Sequence, residues 1–157
     1  MKTLILLSAS PASGKTRWCT NYITEHPDAV YLNSDEIRIE ITGDYNDFSK
    51  QHVVWETFAK RIEQYNELEG DFTLILDALN DLNILRQKYV KMCDKFDKKI
   101  LIVIKKPLEE TLQNNANRNP EVRIPVNIMV NLYDKFEMPD EETLALFDEY
   151  IYINHRF

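Results

Sequence analysis

Uninterrupted apolar runs, each only as long as a strand, recur along this chain: KTLILL (2–7), AVYLN (29–33), FTLILD (72–77), KILIVIK (99–105) and YIYIN (150–154). Successive side chains of a strand point to opposite faces, so a strand that is apolar throughout must be covered on both. The segments between the runs supply the covers. Val54, Phe58, Ile62, Tyr65 and Leu68 fall at helical spacing and predict a helix over 49–69. Leu82, Leu85, Tyr89, Met92 and Phe96 do the same over 82–96. Further helices are expected from about Gly14 to Glu25, after Pro107, from Pro125 to about Glu137, and over 141–147. Gly43-Asp44 and Gly70-Asp71 mark turns, and the polar, Asn- and Arg-rich stretch 114–124 reads as a mobile loop. Strands alternating with helices predict one α/β domain over residues 1–157, a central parallel sheet flanked by helices.

The charge balance narrows the partners. A net charge of −7 argues against coating long DNA or RNA, which takes a basic surface. It leaves room for a small substrate, or one strand end, held by a few arginines. Cys19 and Cys93 make neither a disulfide framework nor a four-ligand zinc site, so a reducing, cytoplasmic setting is expected. No run of about 18 apolar residues occurs, which predicts no membrane span. Leu4–Leu7 is too short for the core of a secretory signal. His26, His52 and His155 have no metal partner at helical or loop spacing. Lys88, Lys91 and Lys95 read as a solvated helix face, and Trp55, Phe58 and Tyr65 as core.

The segment SASPASGKTRW (8–18) sits between the first strand and the first helix. Gly14-Lys15-Thr16 closes it as a phosphate-binding loop of the form G-x-x-x-x-G-K-[ST] closes. Lys15 is the cation for the β- and γ-phosphates, and the Thr16 hydroxyl suits Mg²⁺. Backbone N–H groups at the helix start suit the phosphate oxygens. The chain has three glycines, and one stands directly before Lys15. Ala9 and Ala12 occupy positions where glycine is usual; if either needs positive φ, its methyl costs roughly 1–2 kcal/mol.

Phosphoryl transfer also needs a group for the acceptor hydroxyl and one for the metal. In open α/β sheets these lie just past the carboxyl ends of strands. Asp35 follows the second strand and Asp77 ends the third. Each alone also suits a helix N-cap.

With these residues in view, most of the chain resembles the kinase domain of phage-type and bacterial 5′-hydroxyl polynucleotide kinases. SPASGKTRW is similar to that family's C-P-G-S-G-K-S-T-W loop at Pro11, Ser13, Gly14, Lys15 and Trp18. LNSDEIR resembles its N-x-D-x-x-R segment, and DALN (77–80) its D-x-T-N, with Leu79 where threonine is usual. NNANRNPEVRIP resembles its arginine-bearing lid. The resemblance implies a P-loop kinase fold with a mobile lid. It implies Asp35 as general base, Arg38 on a phosphate of the acceptor strand, and Arg118 and Arg123 as lid cations. The catalytic set is then Lys15, Asp35, Arg118 and Arg123. Ser13, Gly14, Lys15, Thr16 and Arg17 bind the donor. Asp35, Arg38, Asp77 and Asn80 face the substrate, and Thr16 and Asp77 hold Mg²⁺.

Departures from the family pattern are Ala9, Ala12, Arg17 in place of Ser or Thr, and Asn114 where the lid usually has an arginine. The expected activity is transfer of the γ-phosphate of ATP or GTP to a 5′-hydroxyl of a DNA or RNA end. The rivals are a kinase of a small nucleoside, nucleotide, sugar or modified DNA base, and a nucleotide-binding regulatory module without turnover.

Overall fold

The structure, a computed structural model, describes residues 1–154; His155 lies outside the described residues. The apolar runs form strands β1 (Thr3–Ala9), β2 (Val30–Asn33), β3 (Thr73–Asp77), β4 (Lys98–Ile104) and β5 (Glu149–Ile153). They make one sheet in the order β2-β3-β1-β4-β5, with every neighbouring pair parallel. The helices are α1 (Lys15–Glu25), α2 (Ser34–Thr42), α3 (Gln51–Glu67), α4 (Asn83–Met92), α5 (Leu108–Ala116), α6 (Val126–Lys135) and α7 (Glu141–Leu144).

The alternation of side chains splits the core in two. Leu4 and Leu6 of β1 join Leu74, Leu76, Leu101 and Val103 on one face, under Val54, Phe58 and Ile62 of α3 and Tyr89 and Val90 of α4. Ile5, Leu7 and Ala9 point the other way with Ile75, Ile102 and Ile104, under Cys19 of α1. Each large side chain buried this way contributes about 1.5–3 kcal/mol relative to exposure. The helix after β1 therefore lies on the opposite face from α3 and α4. The crevice where such connections diverge, at the carboxyl ends of the strands, is where open α/β sheets bind ligands. Register sets what stands there: Leu7, Asp77 and Asn33 share one row across β1, β3 and β2.

Some expectations change. Residues 34–42, for which the sequence offers only an N-cap at Asp35, form α2, capped by Asn33 and stopped by Gly43 at φ 78°. Residues 114–116 complete α5 instead of opening a loop, and the lid contains a 3₁₀ turn at Pro120–Val122. Phe58 is core, but Trp55 meets it edge-on from a position 38% exposed. Lys88, Lys91 and Lys95 are exposed, as the solvated-face reading expects. Among the described residues no helix is long and apolar enough to cross a membrane.

Candidate phosphoryl-transfer site

The loop from Ser10 to Gly14 is tied at both sides. Ala9 N donates to Leu79 O (3.1 Å) and Ser10 N to Ile104 O (3.1 Å). Inside the loop, Ser13 Oγ donates to Ser10 O (2.6 Å). Ala12 (φ 57°) and Gly14 (φ 95°) are both left-handed, so the backbone doubles back and gathers its N–H groups into an anion-binding concavity. Gly14 caps α1 with no side-chain hydrogen bond, leaving the first N–H groups of the helix for a ligand. Thr16 and Arg17 are exposed on that first turn.

The two alanines therefore differ. Ala12 holds the strained conformation; Ala9 is an ordinary buried strand residue paired with Ile104. The condition for strain, positive φ, is met at Ala12 and not at Ala9. Ala12→Gly is expected to raise stability by about 1 kcal/mol in urea unfolding, with nucleotide affinity kept or improved. Ala9→Gly is expected to lose about 0.5–1 kcal/mol. Equal losses at both sites would show that the loop follows another path.

Lys15 does not extend into solvent. Its Nζ lies 2.7 Å from Asp77 Oδ1, and the Asp77 side chain is fully buried. Burial works to lower the Lys15 pKa, but the Asp77 carboxylate, helped by Asp35, more than offsets it and the net shift is upward. The other carboxylate oxygen, Asp77 Oδ2, accepts from Tyr31 Oη, from Asn33 Nδ2 (2.9 Å) and weakly from Cys19 Sγ (3.8 Å). Burial, reinforced by Asp77, pushes the Cys19 thiol up to about 12, so it is no nucleophile.

Asn33 joins this carboxylate to the start of α2. While Nδ2 reaches Asp77, Oδ1 caps α2 by accepting from Asp35 N (2.6 Å) and Glu36 N (3.2 Å). Asp35 is thus not a cap; its carboxylate is partly exposed and pairs with Arg38 Nη2 at 2.6 Å. Arg38 is only 3% exposed. Its Nε donates to Tyr45 O (2.6 Å), and its guanidinium stacks over the Tyr45 and Phe48 rings (5.0 and 4.3 Å). The structure brings Asp35 and Arg38 together, but packs Arg38 inward rather than presenting it to an acceptor strand.

The Tyr45 hydroxyl reports what meets here. Burial and Asp35 push it up, while Arg118, Arg38 and Lys15 pull it down. The charges of Asp35, Arg118, Arg38 and Lys15 are thus all felt at Tyr45. Arg123 is exposed and donates from Nη2 to Arg118 O (3.0 Å). Asn114 Nδ2 donates to Ala12 O (3.0 Å), which docks α5 on the phosphate loop. Asn115 clamps the lid by donating to Ile124 O (2.6 Å) and accepting from Ile124 N (3.0 Å). Asn46 Nδ2 donates to Glu121 O, linking the loop after α2 to the 3₁₀ turn at Pro120–Val122.

Asn80 forms the rear wall. It has φ 46°, is 2% exposed, and donates from Nδ2 to Leu7 O (2.6 Å). Behind it lies fully buried Arg86, missed in the sequence because a helical arginine is expected in solvent. Arg86 donates to Ser8 Oγ, Asn80 O, Asn83 Oδ1 and Glu137 O. Burial pushes it down to about 10, against the pull of Glu137 and Asp81, so it stays charged at neutral pH. It braces the end of β1 against the loop after β3.

Comparisons with known proteins agree with this layout. The family described as "Chromatin associated protein KTI12" matches residues 2–145. An L-seryl-tRNA(Sec) kinase of Methanococcus maripaludis is 26% identical over 144 residues, 87% of this chain and 53% of that protein. The chain thus spans about half the length of that relative. Among solved structures, Chaetomium thermophilum Kti12 in complex with ADP-AlF3 superposes with a TM-score of 0.68 at 16% identity, over 96% of this chain and 88% of that one. A chain of the Pnkp1/Rnl/Hen1 RNA repair complex gives 0.70 at 18% identity, over 94% and 46%. The fold is that of the P-loop kinases, and the chain belongs to the KTI12 family.

Proposed function

We propose that this protein transfers the γ-phosphate of ATP or GTP to a hydroxyl carried on nucleic acid, with a 5′-hydroxyl strand end as the first candidate. The observation that carries this reading is a partly exposed Asp35 carboxylate held by Arg38 at 2.6 Å, together with a loop left-handed at Ala12 and Gly14 whose Lys15 lies 2.7 Å from Asp77. A module that only binds nucleotide has no use for a carboxylate held toward the acceptor. The similarity to a kinase named for a tRNA substrate supports an RNA-borne hydroxyl.

In this reading the phosphate loop and Lys15 hold the donor. Asp35, steadied by Arg38, orients the hydroxyl and takes its proton, a role worth about 10²–10⁴ in rate. Mg²⁺ fits the oxygens present: the Thr16 hydroxyl and Asp77 Oδ1 suit an ion that binds through one or two protein groups plus phosphates and water. Among the described residues no cluster of three His, Cys, Asp or Glu offers a cage for another metal. When bound, Mg²⁺ neutralises charge on the phosphates.

The burial of Arg38 favours a second reading, a small hydroxyl substrate, because no strand phosphate meets a guanidinium there. A labelled γ-phosphate screen of 5′-OH DNA, 5′-OH RNA, nucleosides, nucleotides and sugars separates the two. Label on strand ends supports the first reading; preference for a free nucleoside or sugar replaces it with the second. Arg118→Ala is expected to lower kcat by about 10³ or more while changing the donor KM less, because charge beside the moving phosphoryl group matters most at the barrier. Arg123→Ala, exposed and one step further out, is expected to lower it less. A raised KM at unchanged kcat would make both simple donor contacts.

A further inference from the structure

We propose that Tyr31 is the positioning residue for Asp77: its phenol, with the Asn33 amide, holds Oδ2 so that Oδ1 faces the phosphate loop. There Oδ1 pairs with Lys15 when the loop is empty, and receives the magnesium that accompanies a nucleotide when Lys15 turns to the phosphates. This inference rests on the nucleotide-binding reading above.

A fully buried carboxylate is costly unless each oxygen is satisfied. The partners of Asp77 divide cleanly. Oδ2 takes the neutral donors Tyr31, Asn33 and Cys19; Oδ1 takes the cation Lys15. Tyr31 Oη is the donor in its bond to Asp77 Oδ2. Asn33 Nδ2 also donates to Tyr31 Oη (2.6 Å), so the phenol proton is left for the carboxylate. Donors from Tyr31 and Asn33 on Oδ2 hinder rotation of the carboxylate and keep Oδ1 turned toward Lys15.

Two consequences follow. Phosphates that draw Lys15 away leave Asp77 buried without a cation, so metal-free nucleotide binds against that cost. Nucleotide bound with Mg²⁺ returns a cation to Oδ1. Nucleotide affinity and Mg²⁺ are therefore coupled through Asp77, and the coupling depends on Tyr31. Tyr31 is among the residues that line a cavity of about 280 Å³, with Glu36, Glu40, Arg61 and Gln64. Tyr31→Phe removes the oxygen that meets Asp77 without changing the ring.

The test is calorimetric titration of the β,γ-imido analogue of ATP, with and without Mg²⁺, on wild type, Tyr31→Phe, Asp77→Asn and the double variant. Thermal unfolding of each reports on the fold. For wild type, Mg²⁺ should raise affinity at least about tenfold. Tyr31→Phe should lose about tenfold of that gain, while metal-free affinity moves less than about twofold. In the Asp77→Asn background the same substitution should add nothing. Equal loss with and without metal, no loss, or an undiminished effect in the Asp77→Asn background overturns the role. Wild type that binds no nucleotide overturns the functional reading itself, and this inference with it.

Discussion

Replacing Lys15 with alanine should abolish phosphoryl transfer, a loss of about 10²–10³ or more in kcat. The side chain is the loop's cation, and in the proposed reaction its ammonium turns from Asp77 to the phosphates. From the sequence alone the same substitution is expected to leave the fold intact, since a loop lysine is a ligand contact and not core. The ion pair with Asp77 changes that expectation. Removing one partner of a buried pair leaves the other uncompensated, at a cost of about 3–5 kcal/mol when burial is complete. Tyr31 and Asn33 still bond Asp77, and Lys15 is partly exposed, so the lower end applies. Adding Asp77→Asn should recover most of that stability in urea unfolding while transfer stays absent. Near-wild-type transfer in a folded Lys15→Ala variant would show that this loop is decorative.

Asp35→Asn should leave donor binding in place and reduce transfer by about 10²–10⁴. The amide keeps the size and still accepts from Arg38 Nη2, so α2 and its Asn33 cap should stay folded. What it loses is the charge that draws the acceptor proton. Arg38 adds a discriminating arm. Because it is buried against Tyr45 and Phe48 and acts on Asp35, Arg38→Ala should slow a plain nucleoside and a phosphate-bearing acceptor alike. A loss greater by about tenfold to a hundredfold for the phosphate-bearing acceptor would restore a direct phosphate contact. The paired kinetic comparison of both acceptors decides it.

The strands were legible because a parallel sheet covered on both faces demands unbroken apolar runs, and those runs stand out. The phosphate loop was legible because Gly14-Lys15-Thr16 is local. Much of what gives the site its shape lies in pairings across the sheet, which no short segment encodes. Asn33 reads as a polar strand end, yet it caps α2 with one atom and grips Asp77 with another. Tyr31 reads as one more strand aromatic. Tyr45 sits in a segment without periodicity. Arg86 lies one position beyond Leu85 of an apolar stripe, and its burial depends on acceptors from Ser8, Asn80 and Glu137, far apart in sequence. The Asn-rich stretch suggested a mobile loop because asparagine favours turns. The side chain of Asn115 instead turns inward and pins Ile124.

Single-turnover transfer from γ-labelled ATP to a 5′-hydroxyl oligonucleotide, run with Mg²⁺ on wild type and Asp35→Asn together, tests the central claim most directly. The account predicts labelled strand ends from wild type, and from the variant a rate at least about a hundredfold lower at equal nucleotide occupancy. Bound nucleotide with no labelled hydroxyl product from either protein, on strands or on any acceptor of the screen, would contradict it.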